Sequence, residues 1–566
     1  MLGGSLPEFP SNRSRQKLDL GWAQFSGTLP KSIGNLSMLS YVDLASCNFT
    51  GPLPSSMSNL TQLVYLDLFV NRFTGSLPSE NSLSGVIPAS LLSLPSLDIL
   101  DLSRNKFSGQ ITDQLQNVNS PLTKIDLSAN NLEGPLPEFL FELKHVIKLS
   151  LSSNNFSATV KLDKFTKLQN LIDLDLSGSG LSVKYQTGYG ELLKILSALN
   201  LSLNQFTHFQ EPYIIPDRLS TLDLHSNLLT EEILSLPRSA FFVDLSNNKF
   251  ATSIPPDFGN YLLGVRFLSV ANNTISGNIP DSLCKATILE VLDLSSNSLT
   301  GKVPMCFAEQ MSNTLKIVNL GGNNLTSNLP GNFSEVCSLE TMDLSHNLLE
   351  GKIPQSLSNC RNLKVLNMGN NKISDTFPCW LSSLPNLHVL VLHSNHFHGN
   401  IDCSGVNYSW PTLQIIDLAS NNFSGILPRD SFLKMKAMML DPAVTRSCPD
   451  LLQTGIGVML KVYYLDKVSV TLKGLKVTME KIFLSFISID FSNNNFVGCV
   501  PETIGELKSL YLLNLSHNAL TGQIPPAFGN LKQLGSLDLS IQQVGWAYSG
   551  AAFKYHPPFL LKFIIQ

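Results

Sequence analysis

The sequence repeats itself about every 24 residues, and this period restricts what it can fold into more than any other feature. A short apolar motif ends in asparagine again and again: LDLSRN (100–105), IDLSAN (125–130), LDLSSN (292–297), MDLSHN (342–347) and LNLSHN (513–518). The asparagines fall at 105, 130, 154, 204, 227, 248, 273, 297, 323, 347, 371, 395 and 421, mostly in steps of 24 or 25, and resume at 494 and 518. The step from 154 to 204 hides a degenerate copy, LDLSGS (174–179), with Ser179 in the asparagine's place. Cys47 holds that place in an earlier copy.

Each part of the motif has a physical reason. The L-x-L segment predicts a short strand whose leucines point inward while the residues between face out. Copies stacked on one another pair these strands in parallel and join the leucines into one core. Each buried leucine contributes roughly 1.5–3 kcal/mol, a gain no isolated copy could collect. The asparagine turns inward and satisfies backbone groups left as the chain quits the strand. A second block follows it: FSGTLP (25–30), FTGPLP (49–54), LSGVIP (83–88), ISGNIP (275–280), LTGKVP (299–304), LEGKIP (349–354) and LTGQIP (520–525). There glycine allows a tight bend and proline fixes the exit. The expected fold is an α/β solenoid: a curved superhelix with a parallel sheet on the concave face and short helices or 3-10 turns on the convex face.

Composition agrees with a repeat array in a chain of 566 residues, which is too long for one ordinary core. Apolar residues make up 43% and charged residues only 14%. The net charge is -4 without a long basic stretch, so nucleic acid is not an expected partner.

Two irregularities stand out. Asn71 and Asn81 both resemble ladder residues but lie 10 apart, which reads as a 14-residue deletion with a strained or loose junction at 76–85. Asn421 and Asn494 are 73 apart, one repeat plus an insertion near 49 residues. The insertion alternates Val468, Val470 and Leu472 with polar residues, so at least one strand pair is expected. It is also the most basic local region, with Lys461, Lys467, Lys473, Lys476 and Lys481. The predicted organisation is a repeat array over 1–429, an island over 430–480, further repeats over 481–540 and a non-repeat tail over 541–566. Met1 falls inside a repeat, and no cap is recognisable at either end. The chain therefore reads as incomplete at both ends. Neither a secretory leader nor an apolar run of roughly 18 residues is present.

Nine cysteines leave at least one thiol without an intramolecular partner. Cys379 and Cys403 each lie eight residues past their asparagine. Equivalent atoms on adjacent rungs are about 5 Å apart, within the reach of a disulfide. Cys337 with Cys360 and Cys284 with Cys306 sit at nearly matched offsets. Three bonded pairs are expected, which implies an oxidising compartment, with Cys47, Cys448 and Cys499 left over. Twelve N-x-S/T sequons, among them Asn35, Asn59, Asn155, Asn332 and Asn407, are compatible with secretion.

No catalytic residues, metal ligands or cofactor are predicted. His388, His393, His396 and His398 cluster in sequence but would occupy different faces of one rung. The recurrent aspartate between the leucines (Asp101, Asp126, Asp293, Asp343, Asp417) fits a structural or solvated ladder. No nucleophile elbow, phosphate loop, zinc-protease motif or kinase signature occurs. Ligand contact is expected on the concave face and the island, at His225, His346, Val391, His393, Tyr463, Tyr464, Lys467 and Lys473.

The 24-residue repeat with its G-x-I/L-P block resembles the plant extracellular class of leucine-rich repeat. GSLPEFP (4–10), KSIGNL (31–36), SCNFTGPLPSSMSNLTQLVYLDL (46–68), DTFPCWLSSLPNLHVLVLHSN (375–395) and SVTLKGLKVTMEKI (469–482) resemble plant receptor-like proteins of the disease-resistance type, such as the tomato Verticillium-wilt resistance proteins. The resemblance covers about residues 1–540. It implies a kinase-less recognition ectodomain on the extracellular face of the plasma membrane. Such an ectodomain binds a peptide, protein or glycan and signals through receptor-kinase partners in defence or development. A soluble inhibitor of secreted microbial enzymes is the alternative, although such inhibitors are shorter and lack an island. A non-functional receptor fragment is a third reading.

Overall fold

The computed structural model describes residues 3–11, 14–74, 87, 89–111, 120–157, 159–160, 162–183, 196–207, 218–230, 236–237, 239–403, 409–440, 451–456, 462–472 and 475–542. Two units divide the chain, Met1–Ala251 and Thr252–Gln566.

The first unit carries an open ladder of ten parallel three-residue strands among its described residues, from Lys17–Asp19 and Tyr41–Asp43 through to Phe242–Asp244. Each motif's L-x-L supplies one strand, and from Tyr41–Asp43 onward its middle residue is buried, as with Leu100 and Ile125. The second unit repeats the plan with ten strands from Phe267–Ser269 to Ser536–Asp538. Both are leucine-rich-repeat solenoids. Short 3-10 helices such as Lys31–Asn35 and Asp281–Lys285 form the opposite side of the rungs.

The asparagines bond each rung to the one before it. Asn347 Nδ2 donates to Leu320 O of the preceding rung (2.9 Å) and to Leu344 O of its own (3.1 Å). Its Oδ1 accepts from the Leu325 N–H of the preceding rung (3.0 Å). The same three bonds recur at Asn130, Asn204 and Asn395. Ser179 keeps one inter-rung bond, to Leu151 O (2.9 Å). Cys47 Sγ donates to Leu20 O (3.3 Å).

A feature absent from the sequence reading precedes each ladder residue. Ser46, Val70, Arg104, Ala129, His346 and Asn370 all adopt φ between +52° and +55°, the left-handed region. The chain reverses there so that the next side chain can point into the core. The G-x-I/L-P block also forms more than a bend. In the first unit Gly3–Ser5, Gln24–Thr28, Asn48–Gly51 and Arg72–Phe73 pair into a second parallel sheet. Gly301 sits in such a strand at φ +77°, where a Cβ would meet Asn278 Oδ1 at 2.6 Å.

The two irregular steps leave the ladder intact. Tyr65–Asp67 pairs directly with Ile99–Asp101, and Asn105 bonds to Leu68 O (2.9 Å) and Phe73 N–H (3.1 Å). Asn81 and the whole 76–85 junction lie outside the described residues. Ile415–Asp417 pairs directly with Ser488–Asp490, and Asn494 bonds to Leu418 O (3.0 Å) across the insertion.

The chain leaves the rung later than the spacing predicts. The helices Arg429–Leu433 and Lys436–Met439 still belong to it, because Thr503 Oγ1 donates to Arg429 O (3.0 Å) and Ser509 N–H to Met438 O (3.0 Å). The island itself contains two antiparallel hairpins, Gln453–Ile456 with Val462–Leu465 and Val468–Leu472 with Leu475–Met479. The final rung also runs further than expected. Gln542 takes the ladder place, with Nε2 donating to Leu515 O (3.0 Å) and Oε1 accepting from Leu520 N–H (3.1 Å).

Disulfides join Cys284–Cys306, Cys337–Cys360 and Cys379–Cys403, with Cα separations of 5.7, 4.6 and 5.6 Å. Among the described cysteines Cys47 is buried and free, and Cys499 is exposed and free. Cys448 lies outside the described residues. No helix among the described residues is long and apolar enough to cross a membrane.

Candidate ligand-recognition surface

The strands leave two outward positions each, on either side of the buried middle residue. In the first unit the first of these positions stays open to solvent: Lys17, Tyr41, Tyr65, Ile99, Lys124 and Lys148 lie along one row, none of them buried. The Tyr41 and Tyr65 rings stack with centroids 4.5 Å apart, and Lys17 Nζ sits 4.5 Å from the Tyr41 centroid. Tyr65 Oη donates to Asp67 Oδ2 (3.0 Å), and burial together with that bond pushes its phenol well above the ordinary range.

The second row is the recurrent aspartate. Its Oδ1 accepts the N–H two residues on, at 3.1 Å for Asp101 and 3.0 Å for Asp126, and so fixes the turn into the left-handed residue. The same bond occurs at Asp293, Asp343 and Asp417 in the second unit. This is the structural role expected of the row. The second carboxylate oxygen is left for other contacts, as Tyr65 shows.

In the second unit the corresponding first row is buried from end to end, at Phe267, Val291, Ile317, Thr341, Val365, Val389, Ile415, Ser488, Leu512 and Ser536. Across its middle the cover is the island. Leu452, Val468, Val470 and Ile482 pack with Val365, Val389, Val391 and Ile415 into one apolar cluster. Polar contacts rim it. Tyr464 Oη donates to Asp293 Oδ2 (3.0 Å) and accepts from Asn319 Nδ2 (3.0 Å). Thr454 Oγ1 donates to Glu340 Oε2 (3.1 Å), and Lys316 and Lys364 donate to Gly455 O and Gln453 O (3.3 and 3.4 Å).

Several expected contact residues are therefore engaged within the chain. Val391 points outward from its strand as strand parity demands, yet it is only 1% exposed, because the island covers it. It is not open to a ligand, which corrects the expectation. Tyr464 is committed to Asp293 and Asn319. His393 lies between Asp417 Oδ2 (2.9 Å from Nδ1) and Asn370 Nδ2 (2.7 Å from Nε2). His346 stands in the left-handed turn beyond the strand. There Asn370 and Lys476 approach its Nε2 at 3.1 and 3.4 Å, and burial followed by the Lys476 and His393 charges lowers its pKa. Lys467 is exposed and paired with Glu480 (2.5 Å). Tyr463 pairs with Gly455 through its backbone; its side chain and all of Lys473 lie outside the described residues. His225 remains part-exposed in the first unit, its pKa raised by the bond to Asp223 (2.7 Å).

The His388–His398 cluster does not converge. His388 faces Gln414 (3.3 Å), while His396 and His398 line an open polar groove of about 600 Å³ with Asn395, Asn422 and Asn495. Asp223, His225 and Asp244 do bring one potential ligand atom each within 4.8 Å of one another. They are already bonded, however: His225 to Asp223, and Asp244 to the Ser246 N–H (2.9 Å). Asn35, Asn59, Asn155 and Asn332 are exposed, and Asn407 lies outside the described residues. The open row in the first unit was missed by the sequence reading. The first outward residue of each strand would have found it, at Tyr41 and Tyr65.

Comparison with known proteins agrees with this architecture. Leucine-rich-repeat family models match residues 313–372 and nine segments, 38–60, 96–118, 121–143, 242–261, 264–286, 289–309, 362–384, 412–432 and 509–531. The chain is thus a leucine-rich-repeat protein. Receptor-like protein 54 of Arabidopsis thaliana is 35% identical over 62% of this chain and 46% of its own length. Receptor-like protein 7 of the same plant is 44% identical over 52% of this chain and 30% of its own length. The chain is similar to the plant leucine-rich-repeat receptor-like proteins, and it spans under half the length of these two relatives. Among solved structures it is similar to the Arabidopsis receptor kinase HAESA in complex with the peptide hormone IDA and the co-receptor SERK1. The TM-score is 0.72 and the identity 25%, over 95% of this chain and 80% of that one.

Proposed function

We propose that this chain is the ligand-recognition part of a kinase-less cell-surface receptor-like protein. It binds an extracellular peptide, protein or glycan and signals through a receptor-kinase partner in defence or development. The observation that carries this reading is the open outward row of the first unit. Lysines, stacked tyrosines and aspartates there form a polar and aromatic strip suited to binding rather than reaction. The likeness to an ectodomain solved with a peptide hormone and a co-receptor supports it. Plasma membrane placement, glycosylation and the roles of His225, Lys467 and Lys473 belong to the same proposal.

The test is ligand capture. The chain, produced as a secreted fusion, is incubated with size-fractionated extracellular wash fluid of plant tissue challenged with microbes, and retained species are read by mass spectrometry. Replacing Tyr41, Tyr65 and Lys124 with alanine is expected to abolish specific retention. Replacing the exposed 3-10 residues Lys31, Ser55 and Glu138 is expected to leave it intact. Equal retention by both variants would sink the reading.

A further inference from the structure

The island lies on the outward face of the second unit's sheet and buries an acid there with no countercharge. Asp466 follows the strand Val462–Leu465 and is 2% exposed. Its Oδ2 and Thr341 Oγ1 are both buried, and the neutral Thr341 hydroxyl is the hydrogen-bonding group turned to the carboxyl. Facing Asp466 are Thr341, Glu340 and Asp343 from one rung, Lys364 from the next, and Tyr464 from the island itself.

Thr341 offers only a neutral hydroxyl, and each cation near an ionised carboxylate here is engaged elsewhere. Lys364 Nζ bonds Glu340 Oε2 (2.6 Å) and Gln453 O, and Lys467 bonds Glu480. Tyr464 is turned to Asp293. Asp343 holds Ser345 N–H and Asn367 Nδ2 (2.9 Å each) and adds repulsion. An ionised carboxylate in such a place costs far more than a neutral acid.

We propose that the island is a proton-gated cover: it seats on the concave face of the second unit while Asp466 is neutral, and its hold on that face weakens as Asp466 ionises. The surface released is the apolar strip of Val365, Val389, Val391 and Ile415, which would then be open to a partner. The gate stands on the chain's own contacts and does not depend on which ligand the first unit takes.

The sign follows from linkage. Burial, helped by the Asp343 and Glu340 charges and opposed by the Thr341 hydrogen bond and Lys364, pushes the seated Asp466 up to about 7, while a released aspartate titrates near 3.9. Seating is therefore strongest below about pH 4, weakens about tenfold per pH unit up to about pH 7, and is constant above. Asp293 and Asp343, also raised by burial, act in the same direction.

Hydroxyl-radical footprinting of the oxidised full chain between pH 4.5 and 8.5 tests this. Oxidation is read at Met479 and Val391 and normalised to Met305, which is exposed and outside the cover. Oxidation at both sites is expected to rise about threefold or more by pH 7.5 and then level off. In Asp466→Asn and Asp466→Leu it is expected to stay low throughout. A flat wild-type profile overturns the proposal. So does the same rise in both variants, which would place the gate on another group. Variants open at every pH overturn it as well, because a neutral side chain would then fail to seat the island.

Discussion

At the scale of single residues the ladder asparagine illustrates how little freedom the fold leaves. Its amide serves three carbonyls and one N–H in a region water does not reach, and replacing it strands all four. Asn347→Ala is expected to cost about 3 kcal/mol, since each buried group left unpaired costs about 1–3 kcal/mol. Asn347→Cys is expected to cost roughly half as much, because Cys47 shows that a thiol can still reach a carbonyl of the preceding rung. Denaturant unfolding of the two variants checks the order, and equal losses would mean that a thiol replaces none of the amide's bonds. This position was legible because one side chain meets one need at every rung. The left-handed residue before it was not. Val70, Arg104 and His346 fill it as readily as serine, so identity carries no signal. Val391 failed differently: parity gives its direction correctly, but not what a segment some 80 residues away lays over it.

Among elements, the rung is the unit that disulfides fasten. Cys379 and Cys403 close a loop of 24 residues across adjacent rungs, and a loop of that length contributes about 3 kcal/mol through the unfolded chain. The pair Cys379→Ala with Cys403→Ala is expected to lower the stability of the second unit by about that amount. Melting the wild type with and without reductant should reproduce the loss and exceed it, because two further bonds are then opened. An unchanged melting temperature under reductant would show that these bonds bear no part of the stability. The spacing of the cysteines could be seen in the sequence because rungs stack at a fixed distance. The later departure of the island could not, since a helix on the convex side shows no leucine period to mark that the rung continues.

For the whole molecule, exposure decides which sequons can carry sugar. Asn35, Asn59, Asn155 and Asn332 are exposed, whereas Asn514 is buried and donates to Asp490 Oδ2 (3.0 Å). Peptide mapping of chain secreted from plant cells should find glycans among the first four and none at Asn514. A glycan at Asn514 in folded protein would contradict the burial of that strand. The sequence showed the repeats and their parallel stacking, but not that one stretch of the outward face is already occupied.

The ladder counts rungs and ignores chain length: each asparagine bonds a carbonyl of the preceding rung whether it lies 24 or 73 residues past that rung's own asparagine. Loops can therefore lengthen or shrink during evolution without disturbing the stack, while gain or loss of one whole rung moves every later row by about 5 Å. The island spans its contacts from Asp293 to Ile415, so it acts as a gauge of that count. A duplicated rung between those points would leave each repeat sound and the gauge too short.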